Sequence, residues 1–393
     1  MGEGQLGKII MALQEAISGA IKWILHSGIQ NISEDKKKHG GFNSWFDLDK
    51  KNYKYIYSEI TGYGKTTLSF LYDRTGDSLF LERAVLAGEW LLDNAFHELG
   101  GVRTRYYLDD DKEAADYSFE SGQLYTFDSG MALFGLLSLY KFSKDKRFLD
   151  GAIKIGKFLV DKCQKPDGSL FAYYDSARGL VSEYKKWSTQ SGSFHAKTAM
   201  GLSLLYEMSG DIKYLKSAES LCDAALKFQE KDGRFVTFFE GGGTHLHPHL
   251  YSCEGLLFVG RKLNNEKYIS AAVSGIIWAL SNVKDGGILN YLFMGGSFNL
   301  YERTDALSQL LRLSSFCLQK GLIGDDYQEK IKSLASRLLN FQEKESGGFY
   351  YGFHDNGEKL NHINSWCTMF ALQALCYYDD LLNNKDIAID YLI

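Results

Sequence analysis

Five segments of this chain are apolar on almost every side, and that constrains its fold more than anything else in it. They run from Met131 to Tyr140, Ala199 to Tyr206, Gly255 to Gly260, Leu307 to Leu313 and Met369 to Leu375. A helix with no polar face has to be covered all round by other parts of the protein. Short polar or aromatic stretches open these five helices and one more ahead of them: Tyr57 to Tyr63, Phe127 to Gly130, Phe194 to Lys197, His247 to His249, Glu302 to Asp305 and His362 to Trp366.

Between the buried helices lie amphipathic ones. From Lys146 to Lys162, Phe148, Leu149, Ala152, Ile155, Phe158 and Leu159 share one side, while Lys146, Asp150, Lys154, Lys157 and Asp161 cover the other. Their starts repeat a phrase: Asp77, Asp145, Asp211 or Asn265, then an aromatic and Leu or Ile, then Ala. The Asp or Asn predicts an N-cap. After each amphipathic helix comes a Gly turn and an alternating aromatic run, beginning at Gly40, Gly100, Gly168, Gly233, Gly286 and Gly347. Glycine supplies the turn, and the alternation predicts a short strand or extended loop.

With a first amphipathic helix over about Gly7 to Gly28, the chain reads as six helical hairpins of roughly 55 to 70 residues each. Six hairpins can close so that the apolar helices form an inner ring and the amphipathic ones an outer ring, leaving no exposed repeat end. The expected architecture is therefore all-α, a single (α/α)6 toroid domain over residues 1–393 with short β-hairpins or extended loops at one face. An open α-solenoid is the alternative.

Composition narrows the function. The 393 residues carry a net charge of −5 with signs interspersed, and the Lys36-Lys37-Lys38 run is too short for a nucleic-acid footprint. Gln14, Glu15, Lys22 and His26 interrupt the apolar stretch from Ile9 to Ile29, so neither a signal peptide nor a membrane span is expected. Six scattered cysteines without a C-x-x-C predict reduced, buried thiols. The default reading is a cytoplasmic protein with a small-molecule or oligosaccharide substrate, no nucleic-acid or membrane partner and no cofactor. The sequence sets no oligomeric state.

Connections from inner to outer helices are tight, and those from outer to inner are long. The long loops all open onto the face that carries the inner-helix N-termini, so chemistry is expected there. Converging N-termini bias that face towards anions, and Lys65, Lys197, Arg303, Arg103 and Arg105 add charge. A uronic acid or phosphorylated sugar would suit it. The competing reading pairs these cations with Asp109, Asp110, Asp116 or Asp305. Tyr57, Tyr63, Tyr125, Trp187, Tyr251, Tyr291 and Trp366 fall in the same stretches, where flat rings with polar edges suit sugars or simply fill the toroid.

Two sets of titratable groups compete. Glu59 and Asp128 open the first two inner helices, with Glu120 in the loop before the second. Glycoside hydrolysis needs such a carboxyl pair, whereas helix capping and dipole contacts need only one carboxylate per helix. His195 opens the third inner helix, and His245, His247 and His249 precede or open the fourth, with Glu254 further in. His195 and His249 could act as base and acid, or all four could serve only as packed hydrogen-bonding groups. The H-x-H-P-H run could instead bind a metal, although no metal site is expected. Asp305, Asn364 and Trp366 complete the candidate contacts of the later helix mouths.

As architecture, the whole chain resembles the six-hairpin glycosidase superfamily, including the unsaturated glucuronyl hydrolases, and is similar in plan to the N-acylglucosamine 2-epimerase family. Phe127-Asp-Ser-Gly-Met131 resembles an acidic helix mouth of the former, and Glu59 corresponds by its place in the ring. His247-Pro248-His249 with Glu254 resembles the epimerases' His-Pro-Gly-His followed by Glu, with the Gly absent and the spacing changed. The resemblance implies either a glycoside hydrolase working through carboxylates or a cofactor-free epimerase working through histidines; a non-catalytic carbohydrate-binding toroid is the third possibility. Leu108-Asp-Asp-Asp111 and Gln229-Glu-Lys-Asp-Gly233 resemble terpene-cyclase phrases, but the acidic run sits in a hydrophilic loop and reads as a solvated turn.

Overall fold

Each predicted cap starts a helix. In the computed structural model, which describes residues 3–109, 112, 114–183, 186–239, 241–284, 287, 291–292, 301–354 and 356–393, Asp77, Asp145 and Asp211 each accept a hydrogen bond from the amide two residues on. Asn265 accepts from two amides. These caps open the outer helices α3 (Ser78–Trp90), α5 (Lys146–Lys157), α7 (Ile212–Leu226) and α9 (Glu266–Ser281). Helices α1 (Glu3–His26) and α11 (Gln328–Leu339) complete the outer set, the latter following a 3-10 turn at Asp325–Tyr327.

The five apolar segments lie in the inner helices α4 (Thr126–Ser143), α6 (Ala196–Ser209), α8 (Leu246–Leu263), α10 (Thr304–Gln319) and α12 (Ser365–Leu382), and the sixth inner helix, α2 (Ser58–Thr75), buries Thr61, Lys65, Thr66 and Thr67 beside its apolar residues. Each packs on the next, and α12 packs on α2. That last contact closes the ring, so the architecture is the toroid and not the open solenoid. Among the described residues no helix is long and apolar enough to cross a membrane. All six cysteines are buried and unpaired.

The Gly turns hold the outer ring together. Gly233 has φ +95°, and a Cβ there would lie 2.5 Å from the carbonyl oxygen of Ser274 on α9. Only glycine lets the turn after one outer helix rest on the next. A glutamine fastens three such contacts: Gln229 Nε2 donates to Gly233 O and Ala271 O, Gln164 Nε2 to Gly168 O and Ser217 O, and Gln342 Nε2 to Gly347 O and Ala16 O. The last of these ties the sixth turn back to α1. The Gln-x-x-x-Gly phrase is thus a structural clip. Gly286, Asp110 and Asp111 lie outside the described residues, as does the Tyr291 side chain.

Short antiparallel ladders tie neighbouring repeats at the open face. Tyr55–Tyr57 pairs with Arg105–Tyr107, Gln123–Tyr125 with Tyr173–Asp175, and Trp45–Asp47 with His362–Asn364. The expected hairpins and extended loops therefore sit where the inner helices begin.

Candidate active site

Helices α2 and α4 touch almost backbone to backbone. A Cβ on Gly62 would lie 2.6 Å from Met131 O, and one on Gly135 2.5 Å from Gly62 O. This close approach carries Glu59, the second residue of α2, and Asp128, the third of α4, into one pocket of about 220 Å³. Tyr57, Arg105, Tyr125, His247, Arg303 and Trp366, all expected at the site, line it too.

The two carboxyls differ in surroundings. Burial pushes Asp128 well above the usual carboxylate range, and the nearby charge of Glu59 pushes the same way. Its Oδ2 is buried without a hydrogen-bond partner. Burial raises Glu59 as well, but hydrogen bonds from Tyr57 and Tyr63 and the charges of Lys197 and Arg105 oppose the rise. Tyr63 donates to Glu59 Oε1 at 3.0 Å and is itself 2.7 Å from the Tyr251 hydroxyl. Both carboxyls are thus raised, but Asp128 has the stronger push towards its protonated form, and Glu59 has the partners that favour its charged form.

The pocket's two arginines differ likewise. Arg303 is neutralised: its guanidinium binds Asp305 through Nε (3.0 Å) and Nη2, contacts His245 Nε2 through Nη1 (3.1 Å), and lies over the Tyr351 ring. Asp305 also accepts from Trp366 Nε1 at 3.1 Å. Arg105 makes no ion pair among the described residues. It lies between the rings of Tyr55, Tyr57 and Tyr117, and among the described residues its one hydrogen bond is a 3.5 Å contact to Tyr107 and its Nε is buried without a partner. A cation held in place by aromatic faces, with donors to spare, has the chemistry to receive an anion.

His247 lines the pocket as a neutral ring. Burial lowers its pKa to about 4, and Nδ1 is engaged with Gln309 Oε1 at 2.7 Å. That leaves Nε2 for a ligand.

The other expected residues lie elsewhere. His195 and His249 line no part of the pocket. His195 contacts Thr126 Oγ1 at 3.2 Å, and burial lowers its pKa to about 3. His249 accepts from Phe235 N at 3.1 Å and donates to Gly275 O at 3.1 Å, so both ring nitrogens are spent on backbone. The histidines of the H-x-H-P-H run thus face three different sets of partners, and among the described residues no cluster of three or more metal-ligating side chains occurs. Arg103 turns away to the carbonyl of Phe96, and Glu120 is exposed beside Lys112. Asn364 caps α12.

Lys197 and Glu254 lie deeper, on the ring axis. Glu254 binds Lys197 Nζ at 2.7 Å and Arg312 Nε at 3.0 Å, and Lys197 also donates to the backbone oxygen of Ile393 at 2.5 Å. Burial alone would raise Glu254, but Arg312 and Lys197 outweigh it and hold the carboxyl below its ordinary value. Burial brings Lys197 down to about 7. Its ammonium packs over the rings of Tyr63, Tyr251 and Phe370, under the pocket floor.

Ile60, Tyr117, Phe127, Trp187, Ser188, Tyr251 and Tyr351 also line the pocket. Trp187 and Tyr251 stand out in the sequence as aromatics of the helix mouths. Tyr117 comes from a loop position with no periodic pattern or neighbouring motif, and Tyr351 lies in the aromatic run that begins at Gly347, where nothing in the sequence distinguishes it from Tyr350.

No family model matches the sequence, and no curated protein matches it. Solved structures do match its fold. A cellobiose 2-epimerase from Spirochaeta thermophila superimposes with TM-score 0.77 at 14% identity, covering 97% of this chain and 98% of that one. A sugar epimerase from a ruminal bacterium gives 0.75 at 15%, covering 94% and 100%. An unsaturated glucuronyl hydrolase from Bacillus sp. GL1 gives 0.65 at 16%, covering 92% and 96%. Identities this low speak for architecture alone: the chain has the (α/α)6 six-hairpin fold that these enzymes share.

Proposed function

We propose that the protein is a glycoside hydrolase acting on a uronic-acid-containing oligosaccharide. The observation that carries this reading is the placement of Glu59 and Asp128 at adjacent inner-helix mouths, in one pocket, with surroundings that separate their protonation. Asp128 is the general acid: its proton goes to the glycosidic oxygen as the bond to the anomeric carbon breaks. Glu59 is the carboxylate that activates water or attacks the anomeric carbon. Arg105, which makes no ion pair among the described residues, takes the substrate's carboxylate, and the surrounding aromatic rings take the sugar faces. Unsaturated glucuronyl hydrolases and sugar epimerases among structures of this fold support a carbohydrate substrate.

A second reading, cofactor-free epimerisation, is favoured by His247, whose neutral ring and uncommitted Nε2 could move a proton at a sugar carbon. One experiment separates the two. Purified protein is incubated with a panel of saturated uronides in heavy water. Hydrolysis predicts release of the sugar with no carbon-bound deuterium, reduced about 10²- to 10⁴-fold by Asp128→Asn or Glu59→Gln. Deuterium at one ring carbon without bond cleavage selects the epimerase. Full hydrolytic activity in either variant removes the carboxylate pair from the mechanism.

A further inference from the structure

Tyr63 and Tyr251 meet beneath the pocket from opposite sides of the ring. Their helices, α2 and α8, are the first and fourth of the six inner helices, yet the two hydroxyls lie 2.7 Å apart. Tyr63 stands one turn beyond Glu59 on the same helix face, and its hydroxyl donates to Glu59 Oε1 at 3.0 Å. A phenol has one hydrogen to give. With that of Tyr63 spent on Glu59, the 2.7 Å bond is made by Tyr251 donating to the Tyr63 oxygen. The result is a directed chain from Tyr251 through Tyr63 to Glu59, in which each bond polarises the next.

Packing holds both phenols in place. Tyr63 sets its ring edge-on to Phe370 (5.2 Å, 77°), and Tyr251 packs against Phe127 at 4.9 Å and His247 at 4.2 Å. Burial keeps both phenols well above their ordinary pKa, so neither gives up its hydrogen. Beneath the chain, Lys197 Nζ lies 4.4 Å from the centre of the Tyr251 ring. The other charged or titratable groups that act on Glu59 are Tyr57 on the strand before α2, Arg105 on the strand paired with it, Asp128 on α4 and Lys197 on α6, while His247 and Arg303 face the same pocket from α8 and from the strand before α10. Among these, the Tyr63 hydroxyl is a donor to Glu59 that a second donor backs in turn.

We infer that Tyr63 and Tyr251 are positioning residues for Glu59: two phenols donating in series across the ring hold its carboxylate charged and fixed in direction. Their value to catalysis rests on the role proposed for Glu59 above; their hold on its proton does not.

The titration of Glu59 tests this without substrate. In Asp128→Asn protein no second carboxyl of the pair couples to it. The side-chain carboxyl carbon-13 resonance of Glu59, assigned by its loss in Glu59→Gln, is followed against pH. Tyr63→Phe deletes the hydroxyl and keeps the ring, and it is expected to raise the midpoint by about one pH unit, a tenfold gain in proton affinity. Tyr251→Phe should raise it by about 0.2 to 0.5. The two together should raise it no more than Tyr63→Phe alone, because the chain is then already cut next to Glu59. A midpoint unmoved by Tyr63→Phe, as a role in packing alone would leave it, or effects of the two variants that add, overturns the inference. Should Tyr63→Phe not fold, an unmoved midpoint in Tyr251→Phe overturns it equally. In proteins that keep Asp128, the acidic limb of kcat/KM on a uronide is expected to move up with the midpoint. Raised midpoints without turnover of any uronide sustain the positioning role and remove hydrolysis alone; turnover with midpoints that ignore both substitutions removes the positioning role alone.

Discussion

Asp128 illustrates how one residue can be costly to the fold and necessary to the site. It sits in the first turn of a buried helix with one oxygen unpartnered and Glu59 nearby, so charging it in the folded protein is unfavourable. A carboxyl whose folded pKa is raised contributes stability that is fully present below its unfolded value, about 4. That contribution is lost as the pH rises through the folded value. Wild-type protein should therefore lose stability from mildly acidic to neutral and alkaline pH through this residue, and Asp128→Asn should not. At neutral pH the variant is expected to be about 0.5 to 2 kcal/mol more stable, as active-site substitutions that relieve strain often are. Urea denaturation of both proteins at pH 5 and pH 8 checks this. A variant less stable than wild type at pH 8 would show that Asp128 is a structural cap.

At the scale of elements, the sequence carried the helices and little of what joins them. The outer helices were legible because Asp77, Asp145, Asp211 and Asn265 are local signals, each bonding amides two or three residues away. The inner helices were legible because a helix without a polar face has few places to go. The mouth of α4 was legible for the same reason and that of α2 from its place in the repeat, and with them Glu59, Asp128, Tyr57 and Tyr125. Tyr117 and Tyr351 were not, since their place in the pocket comes from loop paths and pairing between repeats, such as that of Tyr57 with Arg105. The histidines misdirect for a related reason. His195 and His249 sit at helix mouths, but the ring of each turns to neighbouring protein groups, and a spacing does not reveal a side chain's direction. The Gln-x-x-x-Gly phrase was visible as a pattern, yet its meaning as a clip required the neighbouring outer helix that it fastens.

At the scale of the whole molecule, closure of the ring makes the axis a low-dielectric place into which four groups bring charge or hydrogen bonds: Glu254, Lys197, Arg312 and the backbone oxygen of Ile393. These come from three inner helices and the C-terminal segment, so the network reports the assembled toroid. Glu254→Gln would leave two buried cations without their carboxylate, a loss of about 3 to 5 kcal/mol, read as a lower denaturation midpoint with the same m-value. A change under about 1 kcal/mol would mean that solvent reaches the axis. The same layer underlies the pocket floor through Tyr63 and Tyr251, which is how the axis bears on Glu59. The site therefore belongs to the ring as a whole: α2 and α4 bring the carboxyls, the loops bring Arg105 and Tyr117, and the axis holds the floor. Asp128 gives a proton to the leaving oxygen, and Glu59, charged at the start, takes a proton from water or attacks the anomeric carbon. The most direct measurement compares kcat/KM of wild type and Asp128→Asn on two uronides with the same sugar, one bearing a nitrophenyl leaving group and one an alkyl leaving group. Nitrophenolate needs no proton to depart, so the account predicts a loss within about tenfold on the first and about 10³-fold or more on the second. An equal loss on both would contradict it.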